Sequence, residues 1–336
     1  MVNQNIIHIQ ADSTSQGLRV DAFLTKALPD WSRSRIQNLL LEGHIVCEQK
    51  SMQASDKIKG TETFIVTLPE VKPSHLRAQE MPLSVLYEDE HIIVINKPAG
   101  LVVHPGAGNA ENTLVNALLY RFPGLNVGEI ERPGIVHRLD KETSGVMVCA
   151  RQTQAHLFLS NSFQSREVKK IYRAFCLGSF KSAQFDLRTG HKRHATDRKR
   201  FTTKLTEPLD TSEISFFKKI GTKIRLAHSR FEVLLSRDGI SEVKVELLTG
   251  RTHQIRAHLA DTGHPILKDT IYGGIKGIER LPLSNVKEVA KKLTRHALHA
   301  EYLSFQHPTT LEIMEFEAPL PDDLLLLHNA LRLEAQ

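Results

Sequence analysis

The chain has little cysteine: Cys47, Cys149 and Cys176 are its only three, they lie far apart, and they form no CxxC pair. That excludes a disulfide framework and a cysteine-rich zinc site, and it points to buried thiols in a reducing compartment. Long apolar runs are also missing. The longest aliphatic stretches are residues 92–95 and 324–327, far short of the roughly 20 residues that a membrane helix needs. Met1-Val2-Asn3-Gln4-Asn5 has neither the basic start nor the apolar stretch of a secretory leader, so the expectation is a cytoplasmic protein with no membrane contact. No HExxH, Walker A or dinucleotide fingerprint occurs. No segment is strongly low in complexity and no internal repeat is visible.

What is present is an ordinary globular composition, 40% hydrophobic and 24% charged over 336 residues, which is enough for two or three cores. The net charge of +6 is unevenly spread. Between Arg188 and Lys204 stand seven Lys or Arg (Arg188, Lys192, Arg193, Arg198, Lys199, Arg200, Lys204), two His and a single acid, Asp197. Such a run is either a solvated loop or a phosphate-contacting surface.

Residues 1–16 read as a polar lead with a possible strand at residues 6–9. Val20, Phe23, Leu24 and Ala27 then recur at helical spacing until Pro29. Ile36, Leu39 and Leu40 make a second short stripe, with Asp30 or Ser32 as its N-cap and Gly43 just past its end. Strand-like residues 44–47 and 63–67 follow. Residues 17–70 therefore predict a two-helix unit with a small hairpin, carrying Arg33 and Arg35 off the apolar stripe. Residues 71–81 read as a linker. Beyond it, strands are expected at residues 91–95, 146–150, 168–177 and 243–247, and helices at 113–122 and 153–163. Their irregular order, without a βαβ rhythm, predicts an α+β fold with a mixed or antiparallel sheet. Residues 205–225 show no period, and a basic insertion is expected around 186–230.

The most informative segment is Gly134-Ile135-Val136-His137-Arg138-Leu139-Asp140-Lys141-Glu142-Thr143-Ser144-Gly145. It sets one carboxylate, Asp140, between apolar strand-like flanks. Enclosing an acid costs several kcal/mol (roughly) unless a cation or donor compensates, and a held, ionised Asp can serve as nucleophile or base. Three further segments accompany it. Residues 95–105 form a strand–turn–strand corner. Lys169-Lys170-Ile171-Tyr172-Arg173-Ala174 puts a phenol on a basic strand. Gly250-Arg251-Thr252-His253-Gln254-Ile255-Arg256-Ala257-His258-Leu259, closing at Gly263-His264-Pro265, predicts a helix with Thr252 as cap, Ile255 and Leu259 inward and Gly263 at its end. The histidines tempt a metal reading, but His253 and His258 are five apart and diverge by about 140° on a helix. No metal is expected.

These four segments resemble the RluA family of RNA pseudouridine synthases, from about Pro82 to the stretch 296–308. The motifs are His137-Arg138-Leu139-Asp140 with Thr143-Ser144-Gly145, and Gly250-Arg251-Thr252-His253-Gln254-Ile255-Arg256. The helix pair in front resembles the S4 RNA-binding domain, although Val46-Cys47-Glu48-Gln49 and Gly60-Thr61 depart from that domain's usual turns. Together they look most like the branch of the family acting on the ribosomal large subunit, the synthase D branch. Leu267-Lys268-Asp269 departs from the pattern, which usually has Gly before that Asp.

The resemblance implies a pseudouridine synthase catalytic fold over residues 82–336, with a mixed, largely antiparallel sheet flanked by helices, and a small S4-like α/β unit at 17–70. It implies an isomerase that converts uridine to pseudouridine in RNA, most of all large-subunit ribosomal RNA, without a cofactor and as a monomer. Asp140 matches the family's catalytic aspartate, attacking C1′ or acting as base at C2′. Arg256 matches the arginine paired with it. Tyr172 matches the active-site tyrosine, able to stack on uracil and a candidate to help remove the C5 proton. The target uridine must leave its stack; Arg138 then either contacts RNA or closes a salt bridge within its own turn. Arg33, Arg35, Lys192, Arg193, Arg198 and Arg200 are the expected RNA contacts. The competing readings are a non-catalytic RNA-binding protein in ribosome assembly, a synthase acting on tRNA, and a hydrolase built on the His-rich helix.

Overall fold

Short apolar stripes at the front of the chain fold over a small sheet of their own. The computed structural model describes residues 6–29, 31, 33–48, 50–67, 76–106, 108–128, 132–197, 199–203 and 224–333. Helices α1 (Val20–Ala27) and α2 (Arg33–Leu41) cover a four-stranded antiparallel sheet of order β1-β4-β2-β3, formed by β1 (Ile6–Gln10), β2 (Ile45–Cys47), β3 (Lys50–Ser51) and β4 (Thr63–Thr67). Val20, Phe23 and Leu24 pack with Ile36, Leu39 and Leu40 against Ile45, Phe64 and Val66. The strand expected in the lead is part of this sheet: Ile6–Gln10 pairs along its whole length with Thr63–Thr67. The boundary drawn at residue 17 therefore cuts through one hydrogen-bonded unit. Gly43 ends α2 at φ 76°, a left-handed position glycine takes without steric cost. The proposed caps Asp30 and Ser32, and Gln49 of the hairpin turn, lie outside the described residues.

The larger unit is built on β5 (Ser84–Glu88), β6 (Ile92–Lys97), α3 (Leu114–Arg121), β7 (Ser144–Ala150), α4 (Thr153–Ser165), β8 (Lys169–Leu177), β9 (Gln184–Arg193), β10 (Phe201–Thr202), β11 (Arg225–Arg237), β12 (Ile240–Leu247), α5 (Gln254–Asp261), α6 (Lys276–Glu279), α7 (Asn285–Lys292), β13 (Leu298–Gln306), β14 (Ile313–Glu317) and α8 (Asp322–Arg332). One sheet runs β10-β9-β11-β12-β8-β13-β7-β6-β5, with β14 also on β13. Among the described strand pairs only β13–β7 is parallel, so the expectation of a mixed, largely antiparallel sheet holds. Both faces of its centre are covered. Ile93, Ile95, Met147 and Cys149 face the core that also holds Leu114, Ile255, Leu259 and Leu324. Ile92, Val94, Val146 and Val148 face a second core with Ala155, Leu159 and Phe305. Alternate residues serve opposite faces, which is why residues 92–95 read as an unbroken aliphatic run. All three cysteines are buried and free.

Three boundaries differ from expectation. Part of the linker segment is fastened to α3: Gln79 N–H donates to Asn116 O at 3.0 Å and Asn116 Nδ2 to Arg77 O at 2.7 Å. The ends of the basic insertion are integral strands, with Gln184–His191 of β9 paired to Arg225–Glu232 of β11; residues 204–223 lie outside the described residues. The cap of α5 is His253, not Thr252, at φ 58°.

Candidate active site

Asp140 lies on the loop that leads into β7, and the loop is fixed from several sides. Thr143 N–H closes a turn on Asp140 O at 3.1 Å. Lys141 O accepts from Gly100 N at 2.9 Å and from Lys97 Nζ at 3.1 Å. Glu142 O accepts from Arg295 Nη1 at 3.1 Å. Thr143 Oγ1 meets His296 Nε2 at 2.8 Å and Ser144 Oγ meets His299 Nδ1 at 2.9 Å. Gly145, at φ 121°, lies so close to β13 that a Cβ would sit 2.1 Å from Ala300 O. Glycine is therefore required where the loop becomes the parallel strand.

Lys97 is an unexpected part of this support. It is fully buried, and its ammonium donates to the carbonyls of Pro98 at 2.8 Å, Leu101 at 3.0 Å and Lys141 at 3.1 Å. Burial pushes its amine down to about 7, and all three donors are engaged. It ties the corner at residues 95–105 to the Asp140 loop.

Arg256 joins two carboxylates. Its Nη1 donates to Asp140 Oδ2 at 2.8 Å. Its Nε and Nη2 grip Asp269 at 2.7 and 3.0 Å. Asp269 is completely buried, and its Oδ1 also accepts the N–H groups of Ile271 and Tyr272, each at 3.0 Å. The neighbouring Lys268 stands at φ 59°, in the left-handed region where glycine is at ease. The Lys side chain is accommodated there, with Nζ donating to Lys291 O at 2.7 Å. Burial works to raise the pKa of both carboxyls. For Asp140 the neighbouring His253 imidazole, the Arg256 charge and the Arg256 hydrogen bond outweigh it; for Asp269 the Arg256 hydrogen bonds and charge do so. Both are held below the ordinary aspartate value of 3.8. With 20% of its side chain exposed, Asp140 is ionised, oriented and still reachable.

Tyr172, on β8, is buried and paired in register with Ala300. Burial, and then the Asp140 charge, push its phenol upward. It is held neutral, able to stack or donate. His253 places Nε2 3.7 Å from Asp140 Oδ2 and Nδ1 3.3 Å from the Tyr272 hydroxyl. His258 turns elsewhere, to Ser229 Oγ at 3.0 Å and Thr189 Oγ1 at 2.9 Å. Burial pushes His296 down to about 4.

The structure thus brings Asp140, Arg256 and Tyr172 into one locality. Arg138 is exposed and forms no ion pair with Asp140, so a salt bridge between the two is not made. Arg193 and Arg200 lie over the rings of Phe201 and Tyr272, at 4.9 and 5.3 Å, and Lys192 pairs with Thr202 in the same hairpin. Arg33 is half-exposed while donating at 3.0 and 2.9 Å to the fully buried Asp21, and Arg35 stacks on Trp31 at 4.6 Å. Arg198 lies outside the described residues. Asp269, Lys97 and Tyr272 were not identified from sequence. The Asp of Leu267-Lys268-Asp269 was the one local signal for the first, the corner at residues 95–105 the one for Lys97, and nothing local marks Tyr272.

A family model described as RNA pseudouridylate synthase matches residues 91–261. Ribosomal large subunit pseudouridine synthase D of Neisseria meningitidis serogroup B is 40% identical, over 99% of this chain and 83% of its own. The protein of the same name from Vibrio cholerae serotype O1 is 38% identical, over 95% and 93%. Among solved structures, human RNA pseudouridylate synthase domain containing 4 aligns with a TM-score of 0.54 at 25% identity, covering 75% of this chain and 94% of that one. Human RNA pseudouridylate synthase domain containing 1 aligns with a TM-score of 0.53 at 26% identity, covering 71% and 84%.

Proposed function

The chain belongs to the RNA pseudouridylate synthase family, and from that premise we propose that it isomerises uridines of large-subunit ribosomal RNA, with Asp140 as the working carboxylate. It is an isomerase: the N1–C1′ bond of uridine breaks, the uracil turns, and a C5–C1′ bond forms. No net group enters and nothing is oxidised: the C5 proton passes to solvent as the ring regains its aromatic form, and N1, freed from C1′, takes up one proton. The observation that carries the assignment is the Arg256 bridge, with Nη1 on Asp140 at 2.8 Å and the rest of the guanidinium fixed on Asp269. It supports a carboxylate that stays charged in a cleft largely closed to water, ready to attack C1′ or to take a proton at C2′. Tyr172 serves as a neutral phenol stacked on the base; in that state it is a poor proton acceptor, which counts against its removing the C5 proton. Arg138, exposed and not paired to Asp140, contacts the RNA around the flipped nucleotide.

The ribosomal substrate is supported by the names of the two bacterial relatives, each matched over more than four-fifths of its length. The unit at residues 6–67 acts as the S4-like anchor, with Arg33 and Arg35 on its helices, and Lys192, Arg193, Arg198 and Arg200 serve as further RNA contacts. The protein works as a cytoplasmic monomer. Among the described residues no helix is long and apolar enough to cross a membrane.

The test is release of tritium to water from RNA labelled at uridine C5. Wild type releases it from large-subunit ribosomal RNA, and Asp140→Ala does not. No release by wild type from ribosomal RNA or tRNA sinks the enzymatic reading and favours a binding protein. Release from tRNA alone sinks the ribosomal one, and release that survives Asp140→Ala sinks the assignment of Asp140.

A further inference from the structure

His253 stands at the entrance of α5 in a conformation few side chains adopt, φ 58° and ψ 22°. Such positions persist where the surroundings over-determine them, and they cluster at functional sites. Its ring has two different neighbours: the Tyr272 hydroxyl at Nδ1, 3.3 Å away, and Asp140 Oδ2 at Nε2, 3.7 Å away. The Tyr272 oxygen in turn accepts the backbone N–H of Phe201 at 2.8 Å. Phe201 opens β10, the outermost strand of the basic β9–β10 hairpin. A line of polar contacts thus runs from the hairpin backbone through a phenol and an imidazole to the Asp140 carboxylate.

The Asp140 carboxylate sets the direction. A phenol oxygen can accept twice, so Phe201 N–H alone does not decide it, but a carboxylate is met better by an Nε2–H than by an Nε2 lone pair, and the O–H of Tyr272 is then given to His253 Nδ1. Nδ1 then accepts, Nε2 carries the proton, and that N–H faces Asp140. The other tautomer aims two N–H groups at one phenol oxygen and sets the Nε2 lone pair against a carboxylate. Burial favours the neutral ring, so the tautomer carries the information.

The hairpin is seated on the same helix by further bonds. His191 Nε2 lies 3.0 Å from Thr252 O, next to His253. Thr203 N and Oγ1 donate to Asp261 Oδ2, at the far end of α5, at 2.6 and 2.9 Å. His191 and Arg193 both lie against the Phe201 ring, at 4.9 Å. A shift of the hairpin is therefore felt at Tyr272 and at the turn that holds His253.

We propose that His253 is a positioning residue for Asp140, and that Tyr272 couples its tautomer and placement to the seating of the β9–β10 hairpin on α5. The inference rests on the pseudouridine synthase reading above. His253 acts through Asp140 and not on the substrate. Its Nε2–H faces the same Asp140 Oδ2 that Arg256 Nη1 bonds. RNA held by Lys192, Arg193 and Arg200 stabilises the seated hairpin, and with it the aligned carboxylate.

The experiment combines single-turnover tritium release with nitrogen NMR of the imidazoles in the full-length protein. His253→Leu lowers the maximal rate by about threefold to tenfold, because a polar contact at 3.7 Å is worth less than a hydrogen bond to a charged group, and leaves the half-saturating RNA concentration within about threefold. His253→Gln, whose amide can present an N–H toward Asp140, recovers most of the loss. Tyr272→Phe lowers the rate but adds nothing in the His253→Leu background, because the two residues act in series. In the spectra, the ring missing from His253→Leu is protonated at Nε2 in wild type and loses that preference in Tyr272→Phe. An Nδ1-protonated ring in wild type overturns the proposal, as do single losses that multiply in the double variant. If Tyr272→Phe fails to fold, the wild-type tautomer and the glutamine rescue decide. A wild type that releases no tritium sinks the enzymatic reading alone, and the spectra still judge the relay.

Discussion

Replacing Asp269 by Asn disarms the site without touching Asp140. The carboxylate is completely buried and makes four bonds: Arg256 Nε at 2.7 Å on Oδ2, and Arg256 Nη2, Ile271 N and Tyr272 N at 3.0 Å on Oδ1. Asparagine keeps the shape but only one carbonyl oxygen. If that oxygen takes the Oδ1 place and keeps the two backbone bonds, the amide NH₂ faces Arg256 Nε–H, donor against donor. One charge-assisted hydrogen bond is lost, about 1.5–3 kcal/mol, and the guanidinium keeps Asp140 as its only anion. Asp269→Ala goes further and removes both bonds from Arg256 and one of the two anions around this buried cation, at about 3–5 kcal/mol. By the usual scaling for larger domains each kcal/mol lowers the melting temperature by about 2–4 °C. The rate falls by about tenfold to a hundredfold as Arg256 loses its fixed orientation toward Asp140. A thermal melt and single-turnover tritium release measure the two effects. An Asp269→Asn protein that melts with wild type and keeps its full rate refutes the reasoning, because the Arg256 bridge would then need no second anchor.

Lys97→Met leaves the Pro98, Leu101 and Lys141 carbonyls without their shared donor. It is expected to cost about 1–3 kcal/mol for each carbonyl that finds no water, and to slow tritium release more than it weakens RNA binding in a filter assay. For pH, the sign follows from carboxyls whose folded values lie below 3.8: their stabilisation is present above that value and lost as pH falls through the folded value. The gap in urea midpoint between wild type and Asp269→Asn is therefore constant from neutral pH down to 3.8 and closes only below it. Deleting residues 1–70 removes phosphate contacts, so RNA binding weakens and its dependence on salt flattens; an unchanged slope counts against RNA contact by that unit.

What the sequence revealed follows the range of the interactions involved. Helices α1 to α4 were legible because each carries its own period, and residues 92–95 because a run buried on both faces is apolar throughout. β9 and β11 were not legible. Their hydrogen bonds go to each other across residues 194–224, and their side chains alternate with cations that read as a loop. β1 looked like a lead because its partner, β4, lies more than fifty residues away. In the site, Asp140 and Arg256 stood out by motif, but Asp269 is an acid in an ordinary-looking turn until Arg256 is seen upon it. Lys97 stood out only as part of the corner at residues 95–105. A lysine is expected in solvent, and its burial depends on carbonyls contributed by two segments, its own corner and the Asp140 loop forty-four residues on.

The charges explain why the cations spread around the site matter to it. At its heart Arg256 faces two carboxylates, one positive charge against two negative, which leaves a net −1. The histidines do not redress this, because burial pushes His296 down to about 4 and His253 below its ordinary value of 6.5. A polyanion must therefore enter a pocket of its own sign, and only cations further out can draw it in. Arg138 is exposed and unpaired to Asp140, and Arg200 lies over Tyr272 with a buried Nε that has no hydrogen-bond partner among the described residues. Beyond about 8 Å at physiological salt such charges are largely screened, so those that count must sit close to the entrance, as Arg193 and Arg200 do on the hairpin against α5. Raising salt should then weaken RNA capture well before it disturbs the buried Arg256 bridge, separating the half-saturating concentration from the single-turnover rate. If both fell together, the outer cations would be part of the chemistry and not only of the approach.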